Sequence, residues 1–203
     1  MYPPEPDAEA AKRFLRQEML ARRRARPEAD RAAADAALLD VLLEELHAAL
    51  PGQPPGTPPV LVAAYVPVGT EPGGPGLPGA LRAAGYAVLL PVLQPDGDLD
   101  WALHTGDLVP GPRGLLEPAG PRHGPGAVRD AAAVVVPAVA VDRRGVRLGR
   151  GGGSYDRALA RVPPPGRVVA LLYDGEVLDT VPAEPHDRRV TTVVTPAGVH
   201  PCE

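Results

Sequence analysis

Lysine occurs once in this 203-residue chain, at Lys12, against twenty arginines. Cysteine also occurs once, at Cys202. One thiol cannot close a disulfide within the chain, so a disulfide framework is excluded and a reducing compartment is expected. On the tail, Cys202 reads as incidental rather than as a nucleophile. No Cys/His spacing suggests zinc, and no serine sits on a nucleophile elbow. Aromatics make up 3% of the chain, so the core must be built from Val, Leu and Ala. No run reaches the ~18 apolar residues that span a membrane. The opening Met-Tyr-Pro-Pro-Glu-Pro-Asp has neither a basic start nor an apolar run, so no secretory signal is expected. Net charge is −4, which argues against a general nucleic-acid binder. The basic run Arg22-Arg23-Arg24-Ala25-Arg26 reads as a solvated helix end, where the helix dipole favours cations. The expectation is a soluble, cytoplasmic, monomeric protein with no nucleic-acid or membrane partner.

The arginine bias gives the lone lysine meaning. Where arginine replaces lysine almost everywhere, the survivor marks a place that needs a compact ammonium, as phosphate binding does. The alternative is chance survival on an exposed helix face.

Residues Ala8 to Ala25 read as a helix with Phe14, Leu15 and Met19 as its apolar stripe and Lys12, Arg16 and Arg23 beside it. Pro27 opens a second helix to about Leu50, with Leu38, Leu39, Leu42, Leu43 and Leu46 buried. Pro51-Gly52 stops it, and loop follows to Pro59. Strands are expected at Val60–Val66, Tyr86–Pro91, Leu99–His104 with Trp101 inward, Ala131–Val136, Val168–Leu172 and Thr191–Val194. Helices are expected at Leu77–Ala84 and Ser154–Arg161, and Pro110–Gly126 reads as irregular. Strand–helix–strand alternation builds parallel sheets covered on both faces, with ligands at the carboxyl ends of the strands.

The densest chemistry lies in Arg147-Leu-Gly-Arg-Gly-Gly-Gly-Ser-Tyr-Asp156, four glycines and two arginines leading into a helix. Close backbone amides and fixed positive charge make a phosphate site. The loop is neither a Walker A loop, lacking Gly-Lys-Ser/Thr, nor a dinucleotide fingerprint, having Ser154 at the third glycine position. Ser154 can cap the helix, and Asp156 suits a magnesium ion that neutralises phosphate. The competing reading is a helix-capping loop with an aspartate favoured by the dipole. Asp187, in Pro185-His186-Asp187, is a second candidate magnesium ligand or part of a polar turn. Glu71, just beyond the first strand, suits a donor-rich ring or is an ordinary loop glutamate. Trp101 and His47 read as packing and surface residues.

The run from Val134 to Arg157 resembles the signature of the 5-formyltetrahydrofolate cyclo-ligase family, also called 5,10-methenyltetrahydrofolate synthetases. Lys12-Arg-Phe-Leu-Arg16 resembles its N-terminal Lys-x-x-x-Arg, Tyr65–Glu71 its first strand and substrate glutamate, Leu115–Pro118 its Glu-Pro turn, and Pro182–Asp187 its late His-Asp segment. The chain departs from the pattern at Ser154, Ala138 and Val141 and after Glu71. The resemblance implies one three-layer α/β domain over 1–203, Rossmann-like, with two helices at 8–50 before a core at 60–200 and a mostly parallel sheet flanked by helices. It implies ATP and 5-formyltetrahydrofolate as substrates, Mg2+ as cofactor, and ring closure to 5,10-methenyltetrahydrofolate with release of ADP and phosphate. The nucleotide would be held by Lys12, Arg13, Phe14, Leu15 and Arg16 and by Arg147, Leu148, Gly149, Arg150, Gly151, Gly152, Gly153, Ser154 and Tyr155. Lys12 and Arg150 would be catalytic, steadying the transferred phosphoryl group. Asp156 and Asp187 would hold the metal, and Glu71, Arg16 and Tyr155 would contact the folate. Two other readings of the same residues are a non-catalytic nucleotide- or folate-binding protein and a relative of sugar-phosphate isomerases or CoA-transferases.

Overall fold

Side chains alternate across short, strongly apolar strands, and that alternation gives the central sheet two buried faces. The computed structural model describes residues 8–50, 52, 56–184 and 187–203. The opening seven residues, Pro51, Gln53, Pro54 and Pro55 of the loop expected after Leu50, and Pro185 and His186 lie outside the described residues. Helices α1 (Ala8–Ala25) and α2 (Glu28–Ala49) come first. Then follow β1 (Leu61–Ala63), α3 (Leu77–Ala83), β2 (Ala87–Leu93), β3 (Leu99–Leu103) and the hairpin of β4 (Leu108–Pro110) and β5 (Leu116–Pro118). The second half holds β6 (Ala133–Pro137), β7 (Ala140–Asp142), β8 (Arg147–Leu148), α4 (Ser154–Leu159), β9 (Arg167–Leu171), β10 (Val177–Leu178), β11 (Thr192–Thr195) and β12 (Gly198–Pro201).

Seven strands form the main sheet in the order β12-β11-β9-β6-β1-β2-β3. The five inner strands are parallel, and β12 and β3 close the edges antiparallel. Val62, Val88, Val135 and Val169 face α2 and α3, against Leu38, Leu42, Leu46, Leu77 and Leu81. Ala63, Leu89, Val134 and Ala170 face the other way, onto Trp101, Val128, Ala158 and Leu159. The expected α/β architecture, a mostly parallel sheet flanked by helices, is what the chain forms. Trp101 is fully buried, as expected.

Several details differ. The first strand is three residues rather than Val60–Val66, because the chain leaves the sheet after Ala64 and Tyr65 turns to donate its hydroxyl to Pro72 O. Pro110–Gly126 is not wholly irregular, since it carries β5 and most of the turn that joins it to β4. A second sheet, β10-β7-β8, was not foreseen. Strands of two or three residues are too short for periodicity to reveal.

The apolar stripe expected on α1 is also displaced. Phe14 is 70% exposed, while Lys12, Met19 and Arg23 are buried. Those three, with Arg16, recur at helical spacing and form the inward face. Met19 packs on Val139, Ala140, Val146, Leu148 and Val181 around the small sheet. Arg23 is not part of a solvated helix end: it is 2% exposed and pairs with Glu176. Leu15 and Met19 of the expected stripe do pack inward, and the expectation fails at Phe14, because the surface facing α1 offers buried carboxylates and carbonyls as well as hydrocarbon.

Candidate functional site

The glycine loop leaves the small sheet and enters α4 beside the carboxyl ends of β1, β2 and β6. Gly151 and Gly153 have φ of 95° and 69°, backbone that a larger residue resists. Gly153, not Ser154, occupies the cap position, and no side chain caps the helix. The Ser154 hydroxyl instead donates to Gly97 O at 2.6 Å, tying the loop to the segment after β2. Arg161 adds an ion pair to Asp98 from just beyond the end of α4.

The loop lines a cavity of about 660 Å³. Lys12, Arg16, Glu71, Asp156 and Asp187 open into it, together with Arg147 to Tyr155. Helix α1, the loop after β1, the glycine loop, Glu184 and Asp187 therefore converge, although they are far apart in sequence. Arg13, Phe14 and Leu15 do not line the cavity. Successive helical residues turn by about 100°, so Lys12 and Arg16 face inward while Arg13 and Phe14 are exposed and Leu15 packs on the small sheet.

Within the cavity, cations and carboxylates are paired. Lys12 Nζ lies 2.6 Å from Asp187 Oδ2 and 2.7 Å from Glu184 Oε2. Burial opposes the ammonium charge, but the hydrogen bonds it donates to Asp187 and Glu184 outweigh it and raise the Lys12 pKa. Arg147 Nη2 sits 2.8 Å from Asp156 Oδ1, and its guanidinium also donates to Pro137 O. Arg150 Nε is 2.8 Å from Glu71 Oε1. Arg16 Nε donates to Gly149 O at 2.7 Å, linking the first helix directly to the glycine loop. Tyr155 packs between the two cores, and burial together with the Glu71 carboxylate keeps its hydroxyl protonated well above the ordinary range.

Glu71 is fixed from several sides. Its Oε2 accepts the Val68 amide at 2.8 Å. The next residues are pinned by Tyr65 on Pro72 O and by Asp35 of α2, whose Oδ1 accepts the Gly73 amide at 2.9 Å. Sequence reading missed Glu184 and Glu9, which both line the cavity. An acidic residue three before Asp187, in a chain with one lysine, was the available signal for Glu184.

The turn that delivers Arg147 depends on Asp142. This fully buried carboxylate accepts the amides of Arg144, Val146 and Val181 at 3.0, 3.0 and 3.2 Å, plus the Arg144 guanidinium. Burial works against its charge, but these bonds prevail and hold its pKa below the usual aspartate range. Asp142→Asn is expected to cost about 2 kcal/mol in urea unfolding at pH 7, since an amide nitrogen cannot accept these donors. A depressed carboxylate contributes stability above its ordinary value and loses it as pH falls through the lowered one. The gap between variant and parent should therefore narrow below about pH 4.

Mg2+ chemistry can be judged against the donor set. Among the described residues no group of three or more His, Cys, Asp or Glu is placed to hold a metal. Asp156 and Asp187 supply two oxygen donors into one cavity lined with cations. That fits magnesium, which takes one or two carboxylates and completes its shell with phosphate oxygens and water.

A cavity lined by paired cationic and acidic side chains lies at the carboxyl ends of parallel strands, where open α/β sheets hold their ligands. The profile of the 5-formyltetrahydrofolate cyclo-ligase family matches residues 8–196. The 5-formyltetrahydrofolate cyclo-ligase of Mycolicibacterium smegmatis is 45% identical over 141 residues, covering 66% of this chain and 73% of that protein. A 5,10-methenyltetrahydrofolate synthetase from Aquifex aeolicus superposes with a TM-score of 0.71 at 29% identity, covering 94% of this chain and 92% of that one. A synthetase of the same name from Mycoplasma pneumoniae, at 18% identity and a TM-score of 0.69, shares the fold. The chain belongs to the 5-formyltetrahydrofolate cyclo-ligase family and is by that membership an enzyme, a cyclo-ligase. The isomerase or CoA-transferase reading falls away. No helix among the described residues is long and apolar enough to cross a membrane.

Proposed function

We propose that this chain converts 5-formyltetrahydrofolate to 5,10-methenyltetrahydrofolate, using ATP and Mg2+ and releasing ADP and phosphate. The observation that carries the reading is the convergence of Lys12, Arg147, Arg150 and the glycine loop on one cavity that also holds Glu71, Asp156 and Asp187. An amide oxygen is a poor leaving group, so the formyl group must be activated. Its oxygen attacks the γ-phosphorus, the bond from that phosphorus to the β,γ-bridging oxygen breaks, and ADP departs. N10 then adds to the activated carbon and loses its proton, and phosphate leaves with the former formyl oxygen as the ring closes.

Lys12 and Arg150 steady the transferred group, and Arg147 holds Asp156 at the loop's entry. Gly149 to Gly153 bring backbone amides close to the phosphates, with Arg16 bracing the loop. Glu71 accepts hydrogen bonds from the pterin ring, flanked by Tyr155. Asp156 and Asp187 would hold Mg2+, which supplies charge neutralisation at the phosphates when bound. Catalysis is then positioning and electrostatic stabilisation. A cytoplasmic monomer is the setting we assign to it.

The test follows methenyltetrahydrofolate absorbance with ATP and Mg2+ both present and each omitted in turn. Product should form only when both are present. Product without ATP, or none from demonstrably folded protein, would reject the reading, the latter in favour of a binding protein that does no chemistry. Asp156→Asn should raise the Mg2+ concentration for half-maximal rate about tenfold, the scale of losing one of two charged ligands.

A further inference from the structure

The β4–β5 hairpin forms one wall of the cavity and brings to it an arginine with no partner among the described residues. Five cationic side chains line the cavity. Lys12, Arg16, Arg147 and Arg150 are each engaged by protein oxygens. Arg113 makes no hydrogen bond or ion pair with any described residue. Its backbone is unusual as well. At φ 57° and ψ 24° it is the single non-glycine residue of positive φ among the described residues. Glycine or asparagine would make this turn with less strain. An arginine kept there against backbone preference points to a role for its side chain.

The surroundings narrow that role. Leu115 and Leu116 line the cavity beside Arg113, and Leu116 is 45% exposed, an apolar surface without a cover. The hairpin itself is fixed in place: buried Glu117 accepts the Leu93 amide at the end of β2 at 2.9 Å. Gly111 packs so closely on Glu117 that no Cβ fits between them. Arg113 and its leucines are thus presented from a rigid frame.

We propose that Arg113, with Leu115 and Leu116 as an apolar shelf, binds the glutamate tail of the folate substrate. The proposal rests on the cyclo-ligase reading. Beyond the pteridine, that substrate carries a benzoyl ring followed by an amino acid with two carboxylates. An apolar ring followed by an anion matches a leucine shelf followed by a guanidinium, which takes a carboxylate through two parallel N–H···O bonds. The same guanidinium could take a nucleotide phosphate, and the experiment separates the two sources.

The variant is Arg113→Asn, which removes the charge and suits left-handed backbone, so loss of function cannot be traced to a broken turn. KM is measured for 5-formyltetrahydrofolate, for 5-formyltetrahydropteroate, which lacks the glutamate, and for ATP. Loss of one part-exposed charged pair should raise KM for the complete folate roughly fivefold. The KM for the pteroate analogue and for ATP should not move, and Arg113→Lys should recover part of the loss. An equal rise for both folates would reduce the hairpin to a structural element and overturn the proposal. A rise confined to ATP, or no change, would overturn it too. If the unmodified protein turns over neither folate, the cyclo-ligase reading fails. Titration calorimetry with the two folates then judges Arg113 by itself: equal affinities in parent and variant reject it, and a loss confined to the glutamate-bearing folate sustains it.

Discussion

Lys12→Ala is expected to lower turnover by about 10²-fold or more, the scale of losing a charged group that stabilises a transition state. Lys12 is the chain's only lysine, and it lies 6% exposed at a cavity that also receives the glycine loop. Its ammonium bridges Glu184 and Asp187. On the proposed reading an incoming phosphate would compete for the same ammonium, and a bound metal would neutralise Asp187 in its place. Lys12 would then exchange one set of anionic oxygens for another, which a compact head on a flexible stem does easily. Lys12→Arg should therefore also impair the enzyme, by about tenfold. A planar guanidinium grips paired carboxylates in a fixed fork and gives them up less readily. Steady-state kinetics decide the matter, with thermal unfolding as the check that both variants fold. Parent-like rates in Lys12→Arg would remove the argument from the lone lysine.

Arg23→Ala should cost about 3–5 kcal/mol of stability, because it leaves a buried carboxylate uncompensated. Arg23 makes a two-pronged pair with Glu176, both bonds at 2.7 Å, and donates to Ala138 O at 2.7 Å. Glu176 also accepts the Tyr173 amide. Arg23 is 2% exposed and Glu176 6%, so water cannot replace the lost partner. Burial opposes the guanidinium charge, but the bonds to Glu176 prevail and keep its pKa raised. Arg23→Met combined with Glu176→Leu should cost far less than Arg23→Ala alone, since an apolar pair needs no compensation. Urea unfolding distinguishes the cases. The pair also clamps the far end of the helix that carries Lys12, so the anchor sits three turns from the group it positions.

Much of this could be read from residue order. The strand–helix alternation, the buried leucines of α2, the inward Trp101 and the glycine loop follow from local pattern. Lys12 was legible because of composition, an odd survivor among arginines. The face of α1 was legible only in part: Leu15 and Met19 pack inward as their type suggests, but Phe14 is exposed and Lys12 and Arg23 are buried. What turns the helix is a set of partners lying at Ala138, Glu176, Glu184 and Asp187, more than a hundred residues away. The pairing of Arg150 with Glu71 and of Lys12 with Glu184 was hidden for the same reason: ion pairs across a cavity leave no periodic trace. Ser154 shows a subtler failure. Its type fits a helix cap, but the left-handed Gly153 takes that position and frees the hydroxyl for Gly97.

The most direct test is the structure of the protein with Mg2+ and a non-hydrolysable ATP analogue. Lys12 Nζ should leave Glu184 and Asp187 and lie within hydrogen-bond distance of the terminal phosphate, with the metal between that phosphate and Asp156 and Asp187. A nucleotide bound elsewhere, with Lys12 still bridging its two carboxylates, would contradict the account.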